Sequence, residues 1–173
     1  MQKILDQYGN VTIYMENNHP SPMYHVDGGV EPNPYGNLAV LLGDDNLEEV
    51  MYNGGSQCVK VAHRDHGMCQ TNVFVDDQQG LEIARNIAAF TSVPLGDGPG
   101  LVPIFDGRLP DGSRVNGTIP PVSPDGPTLT IRKFRDDPLT MIDLIKFGTV
   151  NLRLAAMMWV WIEGLDSRPA NFV

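Results

Sequence analysis

A chain of 173 residues with 12 Lys plus Arg against 21 Asp plus Glu carries a formal net charge of -9, and that acidity argues against a general nucleic-acid binder, which needs a basic face for phosphates. Two cysteines, Cys58 and Cys69, are too few for a disulfide framework, and no charged, apolar leader precedes residue 20, so a reducing, cytoplasmic setting is expected. The length suits one domain with a substantial core, and the longest apolar run, Leu154–Ile162, is far below the roughly 20 residues of a membrane span, so a soluble chain that does not span a membrane is expected.

Residues 1–36 read as an arm or peripheral layer, with one strand, Val11–Met15, among the punctuation of Pro20, Pro22, Pro32 and Pro34. In "GNLAVLLGDDNLEEVMYNGG" the residues Leu38, Leu41, Leu42, Leu47 and Val50 share helical faces that Gly43 and Asp44 interrupt, which predicts two short helices. The period then changes. "QCVKVAHRDHGMCQTNVFV" alternates on both sides of "HRDHG", the pattern of an antiparallel hairpin turning at Gly67. "DDQQGLEIARNIAAFTSV" opens with two Asp and spaces Leu81, Ala84, Ile87 and Ala88 as a helix. A Gly/Pro connector, "PLGDGPGLVP", leads to two strands in "DGSRVN" and "TLTIRKF", and two closing helices follow in "DPLTMIDLIKFGTV" and "LRLAAMMWVWIEG". Segregated strands and helices predict an α+β fold with an antiparallel sheet.

The motifs "DGSRVN" and "TLTIRKF", with "IPPVSPDGP" between them, resemble the N-terminal domain of the secretion-superfamily ATPases, the hexameric motors of type II and type IV secretion, pilus assembly and the archaellum. "LEEVMYNGG" resembles that family's helix-to-strand segment, "VKVAHRDHGMCQTNVFV" its first hairpin and "DPLTMIDLIKFGTV" its connecting helix. The last helix and "PANFV" resemble the helix and strand that lead into the phosphate-binding loop, so the resemblance covers roughly residues 38–173. It implies a PAS-like α+β N-terminal domain over 37–138, and connecting helices with the first motor strand over 139–173. No G-x-x-x-x-G-K-[ST] occurs in the chain, so no catalytic residue is expected here. ATP and Mg would belong to a parent protein and neither would bind this piece tightly. The implied partners are the chain's own motor domain, neighbouring subunits of a homohexamer and a membrane-platform protein, placing the machine at the cytoplasmic face of the membrane.

If "TLTIRKF" is a strand, Leu129 and Ile131 face the core and Thr128, Thr130 and Arg132 face away; Arg114 alternates with Val115 in the same manner. Guanidinium groups stay charged and bind phosphate bidentately. The resemblance implies that Arg114 and Arg132 reach towards nucleotide, with Arg108 and Lys133 as weaker candidates. The competing reading is surface arginines in salt bridges with an acidic chain. The second reading of the whole is a stand-alone α+β ligand-binding or adaptor module. Whether Arg114 and Arg132 share a face depends on a register that Pro120, Pro121 and Pro124 leave open.

Other constellations favour plain readings. Cys58, His63, His66 and Cys69 form C-x4-H-x2-H-x2-C, which holds zinc-ligand types without the tight cysteine pairs of structural sites; two exposed histidines at a turn and two semi-buried cysteines are expected, and no metal. "PDG" occurs twice as turn chemistry. The acidic pairs Asp44/Asp45, Glu48/Glu49, Asp76/Asp77 and Asp136/Asp137 read as caps and solvated faces. The last helix, apolar nearly all round, must find cover or expose a patch.

Overall fold

The computed structural model describes residues 2–29, 33–55, 57–134 and 139–164. It divides into two units, 1–135 and 136–173.

Nine strands make the sheet of the first unit: β1 (Gln2–Tyr8), β2 (Val11–Glu16), β3 (Met23–Val26), β4 (Leu47–Tyr52), β5 (Cys58–His63), β6 (Gly67–Phe74), β7 (Ile104–Arg108), β8 (Arg114–Thr118) and β9 (Thr128–Arg132). Their spatial order is β1-β2-β3-β6-β5-β4-β9-β8-β7. All neighbours are antiparallel except β3 and β6, which pair in parallel through Met23 with Gln70 and Tyr24 with Thr71. Where that ladder ends, the Asn72 side chain continues it, accepting from Val26 N at 2.9 Å and donating to Val26 O at 2.9 Å. With helices α1 (Ala39–Leu42) and α2 (Asp77–Phe90), the class is α+β, as the segregated pattern predicts.

One face of the sheet is the core. Val11, Ile13, Tyr24, Val61, Cys69, Val50, Ile131, Val115 and Phe105 are buried there, together with Ile83, Ala84, Ile87 and Ala88 of α2. The start of α2 is fixed by a capping box: Asp76 Oδ1 accepts from Gln79 N at 2.8 Å, and Gln79 Oε1 accepts from Asp76 N at 3.2 Å. The helix lies close because glycines stand at its contacts, Gly80 on the helix and Gly107 on β7. A Cβ on Gly80 would meet the Tyr52 ring at 2.5 Å, and one on Gly107 would meet Thr91 at 2.1 Å.

The hairpin β5–β6 and helix α2 lie where the sequence places them. Three expectations are corrected. Leu47–Val50 is strand, not helix: β4 is hydrogen-bonded on both sides, to β5 and to β9, and this pairing overrides the local helical preference of "LEEV". Among the described residues of the first 36 there are three strands rather than one, continuing the sheet. Ile104–Arg108, just past the expected connector, is a strand that closes the far edge.

The second unit holds α3 (Met141–Lys146) and α4 (Leu152–Glu163), the two expected closing helices. Thr140 and Asp143 cap α3 reciprocally, Asn151 Oδ1 caps α4 through Leu154 N at 2.8 Å, and Gly164 ends it at φ 80°. Among its described residues Ala155 is buried, while Leu152, Met157, Trp159, Trp161 and Ile162 are exposed. "PANFV" lies outside the described residues. Among those described, no helix is long and apolar enough to cross a membrane.

Candidate functional site

Strands β7, β8 and β9 carry the candidate cations, and their register is regular. Arg108 pairs with Arg114, and Arg114 with Arg132. Residues directly opposite across antiparallel strands lie on the same face. One step along the ladder, Gly107 pairs with Val115 and Val115 with Ile131, and Val115 and Ile131 are buried. Period-two alternation therefore puts the three arginines in one row on the face away from α2, where all three are exposed.

Like charges directly opposite one another are destabilising, so a row of three needs a reason. Carboxylates do not supply it. Glu49 stands opposite Arg132 across the β4–β9 ladder, yet among the described residues none of Arg108, Arg114 and Arg132 has an ion-pair or hydrogen-bond partner. Arg64 shows the alternative, bonding Glu48 Oε1 at 3.3 Å and Asp45 O at 2.9 Å.

The row lines an open cavity of about 200 Å³ together with Gly112, Lys133 and Phe134. All four sequence candidates thus meet at one place, but they differ in kind. The Lys133 side chain is only 6 % exposed, with Nζ donating to the Asp44 carbonyl and 3.7 Å from Asp45 Oδ1. Burial holds its pKa below the usual lysine value, against the pull of Asp45 and Asp44. Lys133 is engaged by the protein; the arginines have no such partner among the described residues.

The turn between β7 and β8 completes the cavity. Leu109 N donates to Ser113 O at 2.8 Å, and Gly112 turns at φ 86°, the left-handed region that glycine adopts cheaply. Buried Ser113 donates through Oγ to Asp111 Oδ2 at 2.7 Å and accepts from Phe134 N at 2.9 Å. The first "PDG" is thus turn chemistry that ties β9 to the β7–β8 turn.

A second polar cluster was not legible in the sequence. Asp44 Oδ2 accepts from Tyr8 Oη at 2.8 Å and Tyr24 Oη at 2.6 Å. Tyr8 Oη also meets His63 Nε2 at 3.1 Å. His63 Nδ1 accepts from the backbone N–H of Asp65 and His66 at 3.1 and 3.3 Å, so Nε2 carries the proton and the ring is neutral. His63 is 3 % exposed, which corrects the exposed-turn expectation. Burial and then His66 lower its pKa, against Asp44, Asp65 and Asp6. His66 Nε2 lies 3.3 Å from Asp6 Oδ2. Asp44 is only partly exposed and caps no helix, and Glu48 and Glu49 lie on a strand. Cys69 is buried with Sγ 3.5 Å from Gly67 O, and among the described residues no three His, Cys, Asp or Glu are placed to hold a metal ion.

No family model matches the chain. It is 47 % identical over 137 residues to the uncharacterized protein MJ0781 of Methanocaldococcus jannaschii, a match covering 79 % of this chain and 19 % of that protein. The uncharacterized protein MJ0900 of the same organism is 38 % identical over 130 residues, covering 74 % of this chain and 23 % of that one. The chain therefore spans about one fifth of the length of these relatives. Among solved structures, the VirB11 ATPase from the Brucella suis type IV secretion system, in complex with sulphate, matches 75 % of this chain and 40 % of its own with a TM-score of 0.56 at 20 % identity. At that identity the likeness is one of fold.

Proposed function

We propose that this chain is the N-terminal domain of a secretion-superfamily ATPase and that Arg108, Arg114 and Arg132 face the phosphates of ATP held by the motor domain of the full-length protein. The observation that carries the reading is the row itself: three exposed guanidinium groups in cross-strand register, without partners among the described residues, in a chain of net charge -9. A polyanion offsets the mutual repulsion that the fold leaves unrelieved, and guanidinium geometry suits phosphate. The fold likeness to a VirB11 ATPase supports the same reading, as does the length of the archaeal relatives, which leaves room in them for a motor.

The residues present fit the phosphates better than the metal. The cavity is lined by three arginines without partners among the described residues, and no carboxylate cluster converges there for Mg among those residues, so in this reading the metal belongs with the motor. ATP bound there supplies the hydrolysis; this chain's arginines orient the domain on the phosphates and make its position depend on nucleotide. Rigid-body movement of the domain would then couple turnover to protein export or to pilus or archaellum assembly. In that role the partners are neighbouring subunits of a hexamer and a membrane-platform protein at the cytoplasmic face.

The test is ATP turnover by the full-length protein with Arg114→Ala or Arg132→Ala. A fall of roughly tenfold or more is expected for each, since arginines that stabilise phosphoryl charge carry up to several orders of magnitude. Undiminished turnover in both variants sinks the arginine role and favours a stand-alone binding module.

A further inference from the structure

The cavity has one wall that phosphate does not need. Phe134 is 59 % exposed, yet it is not loosely held. Its N–H donates to Ser113 Oγ at 2.9 Å, and that hydroxyl is itself fixed by Asp111 at 2.7 Å. Beneath the ring lies Gly112, where an added Cβ would meet Phe134 Cγ at 3.3 Å. The aromatic ring therefore rests on bare backbone, pinned beside the arginine row, and lines the same cavity as Arg108, Arg114 and Arg132.

An exposed ring resting on backbone next to strand-borne cations matches a ligand with a planar ring at one end and phosphates at the other. Every nucleobase has a π-face and stacks on an aromatic side chain with little regard to sequence. We propose that Phe134 is a base-stacking platform, so that the cavity takes a nucleoside triphosphate with its phosphates on the arginine row and its base against the ring. This rests on the phosphate reading above and adds to it a residue that discriminates nucleotide from bare polyphosphate.

Two probes separate the two ideas: ATP and inorganic tripolyphosphate, each titrated into the chain. ATP is expected to bind at least about fivefold more tightly than tripolyphosphate, and the adenine H2 and H8 proton resonances are expected to move upfield through the ring current of Phe134. Phe134→Leu keeps an apolar side chain over Gly112 but removes the π-face; it is expected to lose the ATP preference and the upfield shift while binding tripolyphosphate as the wild type does. Phe134→Trp is expected to keep both. Unshifted adenine protons in the wild type, or a Phe134→Leu variant that still prefers ATP, overturns the proposal. If Arg114→Ala abolishes tripolyphosphate binding in that event, the phosphate reading survives by itself. No binding of either probe also overturns it, and the turnover assay then judges the arginines separately.

Discussion

Two groups of ionisable side chains sit on one sheet, and the fold treats them in opposite ways. Around Asp44 each polar atom is answered: two tyrosine hydroxyls converge on one carboxylate oxygen, His63 bonds Tyr8 and two backbone N–H groups, and Lys133 bonds the Asp44 carbonyl. Along Arg108, Arg114 and Arg132 none is answered among the described residues, although Glu49 stands in register beside Arg132. The first cluster joins β1 and β3 to the loop after α1 and to β5, and its satisfied bonds mark it as structural. The second does nothing evident for the fold. Its arginines stand on paired strands without partners among the described residues, the arrangement that the proposed phosphate role calls for.

The contrast breaks most visibly at Asp44. Asp44→Ala leaves the hydroxyls of Tyr8 and Tyr24 without their acceptor, and an expected loss of about 2–4 kcal/mol can be read by chemical denaturation; hydrogen exchange should show β1–β3 opening first. Tyr24→Phe removes one donor and keeps the ring, and should cost about 1 kcal/mol in the same assay.

Protonation of His63 is the next smaller lever. Its folded pKa is lowered from 6.5, chiefly by burial, so the unfolded chain binds the proton first. Stability is then fully present above about pH 6.5 and falls as the pH drops through the folded value. Melting temperature followed from pH 7.5 to 5 should decline, and His63→Gln should flatten that slope.

The smallest effect on stability is expected at the arginines. Arg114→Ala removes a like-charge neighbour on each side and no partner among the described residues, so stability should stay within about 0.5 kcal/mol of the wild type and not fall clearly below it. A loss of 2 kcal/mol in denaturant titration would show the row to be structural and erase the contrast.

Sequence alone goes far for elements whose pattern is local. The hairpin at residues 58–74 shows its period of two and α2 its period of 3.6, so both are placed from residues in one window. The alternation of Leu129 and Ile131 against Arg132 is equally local. What escapes is pairing between distant segments. "LEEV" carries helical spacing, but β4 is flanked by β5 and β9, and two ladders outweigh propensity. The alignment of Arg114 with Arg132 crosses a loop with Pro120, Pro121 and Pro124, whose length no pattern translates into register. Asp44, Tyr8, Tyr24 and His63 span residues 8 to 63, so no motif could gather them. Phe134 reads as the last letter of a strand until Gly112 is found under it.

If the arginine row is a phosphate site, phosphate must find it without help from the polar cluster at Asp44. Thermal unfolding of the chain with and without inorganic tripolyphosphate decides this, comparing the wild type, the Arg114→Ala/Arg132→Ala double variant and Arg85→Ala, which removes an exposed cation from α2 instead. A ligand at about 100 times its Kd stabilises the folded state by about 2.7 kcal/mol, so a clear rise in Tm is expected for the wild type and Arg85→Ala and none for the double variant. An equal rise in all three, or no rise in any, would contradict a phosphate site at the arginine row of this chain.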